Sequence, residues 1–287
     1  MINIKYFLQF ILIFFLFTFY KIIGLKVSST ISATIFKFIG PIFRSKKIIN
    51  SNLSIAFPKL NSFDKDKIIN EMWSNYGKIF AEYMFIKEFR YGKFSKKIIV
   101  ENQEILEKIK KDSEPVIFIS GHFNNFELMA MHIEKSGINL SAIYRPLNNK
   151  FLNPLMEQIR NKYICKNQIK KGSSGTRKLL SNFKNGDSIA LMIDQRVSEG
   201  IKSNFFGKPA LTTTIPAQFV KKFKSKIVPI YIERLKNNNF KLKINHPLNF
   251  SKTETIESIT LKINKILEKM ITQNPEQWIW SHNRWKK

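Results

Sequence analysis

The stretch Ser120-Gly121-His122-Phe123-Asn124-Asn125-Phe126-Glu127 sets an imidazole and a carboxylate five residues apart. On one continuous helix that separation would splay the two side chains by roughly 140° at ~3.6 residues per turn. A chain reversal between them removes the obstacle, and the flanking sequence calls for one. Pro115 to Ile119 is a short apolar run of Val, Ile and Phe, which reads as a buried strand. Leu128, Met129, Met131 and Ile133 then open a helix, for which Asn124 or Asn125 is a natural N-cap. His122 is thus expected at the carboxyl end of a strand, where open α/β sheets carry their chemistry. Glu127 is expected in the first helical turn, folded back to hold the ring. A carboxylate that fixes the tautomer of a histidine and stabilises its imidazolium makes a general base. The spacing alone is common among surface residues, so the strand-turn-helix context carries this reading.

Two more polar clusters follow apolar runs. Arg145 ends the run from Asn139 to Tyr144, and Asp194-Gln195-Arg196 ends the run from Ser188 to Ile193. In a parallel sheet those ends gather on one edge, which would bring two guanidiniums to the same side as His122 and Glu127. Guanidinium groups grip phosphate or carboxylate through paired N–H donors. Arg145 and Arg196 are therefore candidates for an anionic group, with Asp194 steadying one arginine; Arg177 and Lys171 are lesser candidates. Gly172-Ser173-Ser174-Gly175 is too short for a phosphate loop and follows a helix, and no dinucleotide fingerprint is present.

The elements that must position these groups alternate. Helix is expected over 64–88, 103–110, 125–135, 149–163, 175–183, 215–223 and 255–271. Strand is expected over 115–119, 139–144, 188–193, 227–232 and near 240–244, and a glycine-containing loop reaches Gly207. This order predicts an α/β domain with a mostly parallel or mixed central sheet and helices on both faces. With 287 residues and 44% apolar content, the chain has material for one large core.

Charge and cysteine content narrow the classes. Lys and Arg number 48 against 21 Asp and Glu, a net charge of +27, which favours anionic partners. The charge is dispersed and no nucleic-acid-reading motif accompanies it, so nucleic acid is not expected as the partner. Cys165 is the single cysteine, which excludes an intrachain disulfide and a cysteine-built zinc site. It stands between Ile164 and Lys166 without a motif and reads as structural. No metal site is expected.

Tyr6 to Tyr20 carries no charge and approaches, with Ile22, Ile23 and Leu25, the ~20 residues that cross a bilayer. Lys21 and Lys26 follow it without a small-residue cleavage site, which favours an uncleaved anchor over residues 1–27. The basic residues after the segment (Lys37, Arg44, Lys46 and Lys47 among them) outnumber Lys5 before it, so the bulk of the chain is expected on the cytoplasmic side. A helix that lies only partly in the bilayer fits the same residues. The remainder, 28–287, forms the second unit. Within it residues 28–60 read as membrane-surface helices, interrupted at Gly40-Pro41.

Several motifs in order resemble one family. Asn52-Leu53-x-x-Ala56-Phe57-Pro58, Gly121-His122-x-x-Asn125-Phe126-Glu127, Asp194-Gln195-Arg196, Asn204-Phe205-Phe206-Gly207-Lys208-Pro209-Ala210, Val228-Pro229 and the tail from Pro275 to Trp285 are similar to the lipid A biosynthesis lauroyl/myristoyl acyltransferases. These form part of the glycerolipid acyltransferase superfamily marked by His-x4-Asp/Glu. Phe126 stands where the family usually has Trp, a change of packing rather than of chemistry. The resemblance implies a bacterial inner-membrane enzyme of lipopolysaccharide biosynthesis with its catalytic domain facing the cytoplasm. It implies O-acyl transfer from an acyl carrier protein or CoA thioester to a hydroxyl of a lipid A precursor. On that reading His122 is the base and Glu127 its orienting acid, and amides of the turn or helix N-terminus hold the oxyanion. Phe205 and Phe206 line the acyl chain or pack the core. The implied partners are acyl carrier protein, an anionic lipid acceptor and the inner membrane, with no cofactor beyond the thioester co-substrate. Two alternatives stay open: the same fold acting on a lysophospholipid or other lipid acceptor, and a non-catalytic lipid-binding protein.

Overall fold

The computed structural model describes residues 2–286. Met1 and Lys287, the outer ends of the two units expected from the sequence, lie outside it. Seven strands form the central sheet: β1 (Ile98–Glu101), β2 (Ile117–Ser120), β3 (Leu140–Tyr144), β4 (Asn167–Lys170), β5 (Ser188–Met192), β8 (Ile227–Arg234) and β9 (Phe240–Ile244). Their order is β1-β9-β8-β2-β5-β3-β4. Every neighbouring pair is parallel except β8 and β9, so the sheet is mixed. The central strands β2, β5 and β8 are mostly apolar (Ile117 to Ile119, Ile189 to Met192, Ile227 to Ile232) because both of their faces are covered.

Helices supply that cover. They are α5 (Ile86–Tyr91), α6 (Gln103–Asp112), α7 (Glu127–Lys135), α8 (Leu152–Tyr163), α9 (Ser173–Lys184), α10 (Ile215–Phe223) and α11 (Ile256–Gln273). The expected α10 and β9 coincide with the observed ones. The expected loop up to Gly207 is instead an antiparallel hairpin, β6 (Ile201–Phe205) with β7 (Lys208–Thr212), turned by Phe206 and Gly207 at positive φ. Strands β1 and β4 are not among those expected: the apolar run of β1 (Ile98, Ile99, Val100) is only three residues long and none of it is buried, and in β4 Ile169 alone is buried.

Four helices precede α5 and the sheet: α1 (Ile2–Ile23), α2 (Leu25–Phe43), α3 (Lys46–Ala56) and α4 (Ser62–Glu82). The expected break at Gly40-Pro41 does not occur, because α2 runs through both residues. It occurs at Ser45, whose hydroxyl accepts from the Ile48 amide and caps α3. Gly40 serves packing instead: an added Cβ would lie 2.4 Å from the Trp73 ring of α4. Gly77 of α4 answers from the other side, where a Cβ would stand 2.2 Å from the Ser32 carbonyl oxygen. Since that obstacle is backbone, Gly77→Ala should prise α2 from α4 and destabilise the fold by about 1–3 kcal/mol, readable as a lowered thermal midpoint.

The helix expected over 64–88 ends at Glu82, and a 3₁₀ turn over Tyr83–Phe85 redirects the chain into α5. That bend matters to the site. It leaves Glu82 and Tyr83, consecutive residues, free to serve two different buried clusters.

Candidate functional site

Parallel register builds the site. Ser120 pairs with Met192 across β2 and β5, so two residues further on His122 falls beside Asp194. The imidazole Nδ1 lies 2.8 Å from Asp194 Oδ1. The backbone N–H of His122 donates to Asp194 Oδ2 at 2.7 Å, and Trp278 Nε1–H donates to the same oxygen at 2.9 Å. Asp194 is wholly buried, whereas the His122 side chain keeps 19% exposure. A buried carboxylate with three N–H donors stays ionised. Burial would raise its pKa, but the charge of His122 and the three hydrogen bonds outweigh burial and bring it to about 2. At His122 burial works downward; the attraction of Asp194, its hydrogen bond and the nearby charge of Glu127 outweigh it and raise the pKa above 6.5.

The carboxylate expected to hold His122 was Glu127, and the structure places it elsewhere. Glu127 Oε1 accepts from Tyr83 Oη at 2.9 Å and from Arg160 Nε at 2.9 Å, with Arg160 Nη2 at 2.8 Å. The physical reason is that α7 begins only at Glu127, after a turn wound about Asn124 at φ 27°. Neither asparagine caps α7 with its side chain. Asn124 Nδ2 donates to the Ile232 carbonyl and to Gln277 Oε1, and its backbone amide donates to the Gln277 carbonyl. Asn125 Nδ2 donates to Glu82 Oε2 at 3.0 Å.

Glu82 anchors this turn from below. It is fully buried and pairs with Arg234 at the end of β8, whose Nε donates to Asn75 Oδ1. Breaking such a pair strands a charge in the interior. Glu82→Ala should therefore destabilise the protein by about 3–5 kcal/mol, visible in denaturant unfolding, and should loosen the His122 turn with it.

The five amides from His122 to Phe126 are already committed. The N–H groups of His122, Phe123, Asn124, Asn125 and Phe126 donate respectively to Asp194, the Gly121 carbonyl, the Gln277 carbonyl, Asn124 Oδ1 and the Asn124 carbonyl. Amides from His122 to Phe126 therefore do not fit the expected oxyanion role; of the expected donors this leaves the helix N-terminus, which begins at Glu127.

Asp194 holds His122 rather than an arginine. Arg196 spends its guanidinium on the Lys286 carbonyl and Ser198, and its amide donates to His282 Nε2. Arg145 is exposed just past β3. Lys171 occupies the paired position past β4, its amide bonded to the Tyr144 carbonyl, and its charge reaches both His122 and His282. Arg177 is exposed on α9. Phe205 is fully buried between Trp278, Trp285 and the Arg284 guanidinium, which leaves it no surface for a ligand. Phe206 is half-buried against Phe57 and Trp285.

A cleft of about 20 Å³ opens beside His122, walled by Met72, Tyr76, Ile79, Phe126 and Ile279. Its volume admits about one water, so a chain-bearing substrate must displace part of this wall. A larger cavity of about 280 Å³, near Lys224 and Phe250, lies at the opposite, amino-terminal end of β8 and takes no part in this chemistry. Cys165 is buried, its Sγ–H directed to the Leu140 carbonyl, and burial pushes the thiol up to about 12; it is no nucleophile. Among the described residues no cluster of His, Cys, Asp or Glu could hold a metal ion.

A histidine locked by a buried carboxylate at the carboxyl edge of a mixed sheet, beside an apolar wall, is the arrangement a general base needs. The family is given by the sequence. The model of the bacterial lipid A biosynthesis acyltransferases matches residues 2–287, and the chain belongs to that family. It is similar to the lipid A biosynthesis palmitoleoyltransferase of Escherichia coli, at 23% identity over 85% of this chain and 79% of that protein. It is similar also to a lipid A biosynthesis acyltransferase of Haemophilus influenzae, at 25% over 85% and 78%. The Escherichia coli lipid A biosynthesis myristoyltransferase is 20% identical over 89% and 80%.

Proposed function

We propose that this acyltransferase moves a fatty acyl chain from an acyl-carrier-protein or CoA thioester to a hydroxyl of a lipid A precursor, with His122 as general base. One observation carries the proposal: Nδ1 lies 2.8 Å from the ionised Asp194, so the neutral ring keeps its proton on Nδ1 and presents an unprotonated Nε2 that has no partner among the described residues. That nitrogen accepts the acceptor hydroxyl proton. The oxygen attacks the thioester carbonyl, the tetrahedral oxyanion collapses, and the departing thiolate takes the proton back from His122. The acyl group passes directly to the acceptor in this route, and the burial of Cys165 removes the chain's one thiol as a covalent carrier. Asp194 is the positioning residue for His122. Glu127 and Arg160 form a second buried pair that sets the start of α7 and lends its carboxylate charge to the imidazolium.

Arg145 and Lys171, neighbours past paired strands, would meet the phosphates of the acceptor, with Arg177 beyond them. The net charge of +27 suits an acidic carrier protein and an anionic membrane surface. The exposed apolar residues of α1 suit anchoring in the inner membrane, with the body on the cytoplasmic side. No cofactor is required by this route. Relatives named for palmitoleoyl and myristoyl transfer differ in chain, so chain length stays with experiment.

The test is transfer of labelled acyl groups of several lengths, from carrier-protein and CoA thioesters, in membranes holding the protein. The acceptors are a Kdo-bearing lipid A precursor and lysophosphatidate. Transfer to the former supports the reading; transfer only to the latter redirects it to another acceptor. Binding of lipid without turnover of either would remove the catalytic reading.

A further inference from the structure

The first two helices carry apolar surface that the body does not cover. Helix α1 has an apolar window of 21 residues, and a perpendicular span would use nearly all of it. Yet one stripe of α1 is held by the body along its length. Tyr6, Phe10, Ile13, Phe17 and Tyr20 recur every three or four residues, and Phe10, Ile13, Phe17 and Tyr20 pack into the main core. Both ends are tied. Near the C-terminal end Lys21 Nζ donates to the Met84 carbonyl and pairs with Glu88. Near the N-terminal end the Tyr6 carbonyl accepts from Asn149 Nδ2 at 2.8 Å, and the Phe7 ring meets Phe151 at 5.5 Å.

The ties at Tyr6 and Lys21 lie about 22 Å apart along the helix axis. If α1 stood upright across a bilayer, the segment after β3 that carries Arg145 and Lys150 would descend with Tyr6 deep into hydrocarbon. Both residues are exposed and charged, which excludes that placement. The opposite stripe of α1, including Leu8, Leu12, Phe15, Phe19 and Ile22, is exposed over the whole helix. Helix α2 repeats the pattern. Its buried side carries Ser28, Ser29, Ser32 and Gly40, the last two against α4, while Val27, Ile31, Ile35, Phe38 and Ile42 make one exposed apolar stripe. Lys26 precedes that stripe, and Arg44, Lys46 and Lys47 follow it, all exposed. An apolar stripe with basic flanks on a helix whose other side is covered suits the headgroup boundary of an anionic leaflet.

From the contacts at both ends of α1, we infer that this chain is monotopic: α1 and α2 lie along one leaflet, neither crosses, and the N-terminal end of α1 stays on the side of the body. The inference rests on the membrane reading above and deepens it. It also places the strand-end edge of Arg145 near the lipid surface, so an acceptor could be drawn from the leaflet without leaving it.

Depth measurement tests it. Single cysteines replace Leu8, Leu12, Phe15, Phe19 and Ile22 in turn in the full chain, and each is spin-labelled in phosphatidylcholine/phosphatidylglycerol vesicles. Cys165 is 1% exposed and does not compete for label. Depth is read from collisions with oxygen and with a water-soluble nickel chelate. The expected result is one shallow depth, shared by all five labels to within about 5 Å. A depth that grows by about 15 Å between Ile22 and Leu12 and then falls towards Leu8 would overturn the inference and establish a span. Labels shielded from both reagents would mean a protein partner on this face and would equally overturn it. Labels open to the chelate throughout, on protein that stays in the supernatant when vesicles are sedimented, would overturn the membrane reading itself.

Discussion

His122→Ala is expected to lower kcat by about 10²–10⁴-fold while the substituted protein still folds and still binds the thioester. The size follows from removing the one group placed to take the hydroxyl proton. The survival of the fold follows from what remains around Asp194. Its Oδ2 keeps both the backbone N–H of residue 122 and the Trp278 indole, so the carboxylate loses one of its three donors. Losing a hydrogen bond to a charged group costs about 1.5–3 kcal/mol, which should lower the thermal midpoint without abolishing the transition. KM for the thioester should change little, because proton abstraction concerns the acceptor hydroxyl. Initial-rate kinetics with both substrates varied, beside a melting curve of each protein, separates the two effects. A variant that kept half of the original kcat, or one that lost thioester binding along with turnover, would remove His122 from the role of base.

Much of this arrangement was legible, and where legibility stopped has physical causes. The strand before His122 and the strand before Asp194 are buried on both faces, so each shows as an unbroken apolar run. Strand ends in a parallel sheet share an edge, which is enough to bring His122, Arg145 and Asp194 to one side. Which carboxylate holds the ring depends on strand order, and the sequence contains no such order. That β2 and β5 are neighbours is a fact of the sheet, and it decides between Asp194 and Glu127. Local spacing favours Glu127 because the sequence around Asn124 reads as a simple cap. Its dependence on Gln277, 153 residues further along the chain, is a long-range contact without a local signature. Tyr83 and Arg160 escaped for the same reason, and Tyr83 also because the 3₁₀ turn after Glu82 sits within an otherwise helical pattern.

The burial of Glu82 and Arg234 beneath the turn bears on the role proposed for His122. Asn124 and Asn125 are each held by a group outside their own element, so the loop carrying His122 is braced from β8, α4 and the C-terminal tail together. A general base must keep its angle to a hydroxyl that arrives with a bulky lipid, and a loop fastened at three places resists being pushed aside. This is a use for polar groups that cost free energy to bury. It also accounts for motif residues distant in sequence, in the Asn125-Phe126-Glu127 and Pro275 to Trp285 stretches, ending at one place in the fold.

Asp194→Asn is expected to be the more telling substitution, because it changes one atom and disables the base through its tautomer. Two N–H donors, from the backbone of His122 and the indole of Trp278, point at the Oδ2 position. An asparagine must turn its carbonyl oxygen to them, which leaves its amide NH₂ facing Nδ1 of His122. That NH₂ donates, Nδ1 must accept, and the ring proton moves to Nε2, the nitrogen that has to receive the substrate proton. A wrongly protonated histidine of this kind reduces kcat by about 10⁴-fold in a serine protease, and a loss of that order is expected here. The pH profile should move as well. In the unsubstituted protein His122 must be neutral to act and Asp194 helps raise its pKa above 6.5, so activity should fall as the pH drops through that raised value. Removing the carboxylate charge lowers the pKa, and the acidic limb of the residual activity should shift to lower pH. Asp194→Glu, which retains the charge with a longer reach, should keep the limb raised and recover part of kcat. An Asp194→Asn protein with full kcat and an unmoved acidic limb would show that Asp194 neither orients nor charges His122.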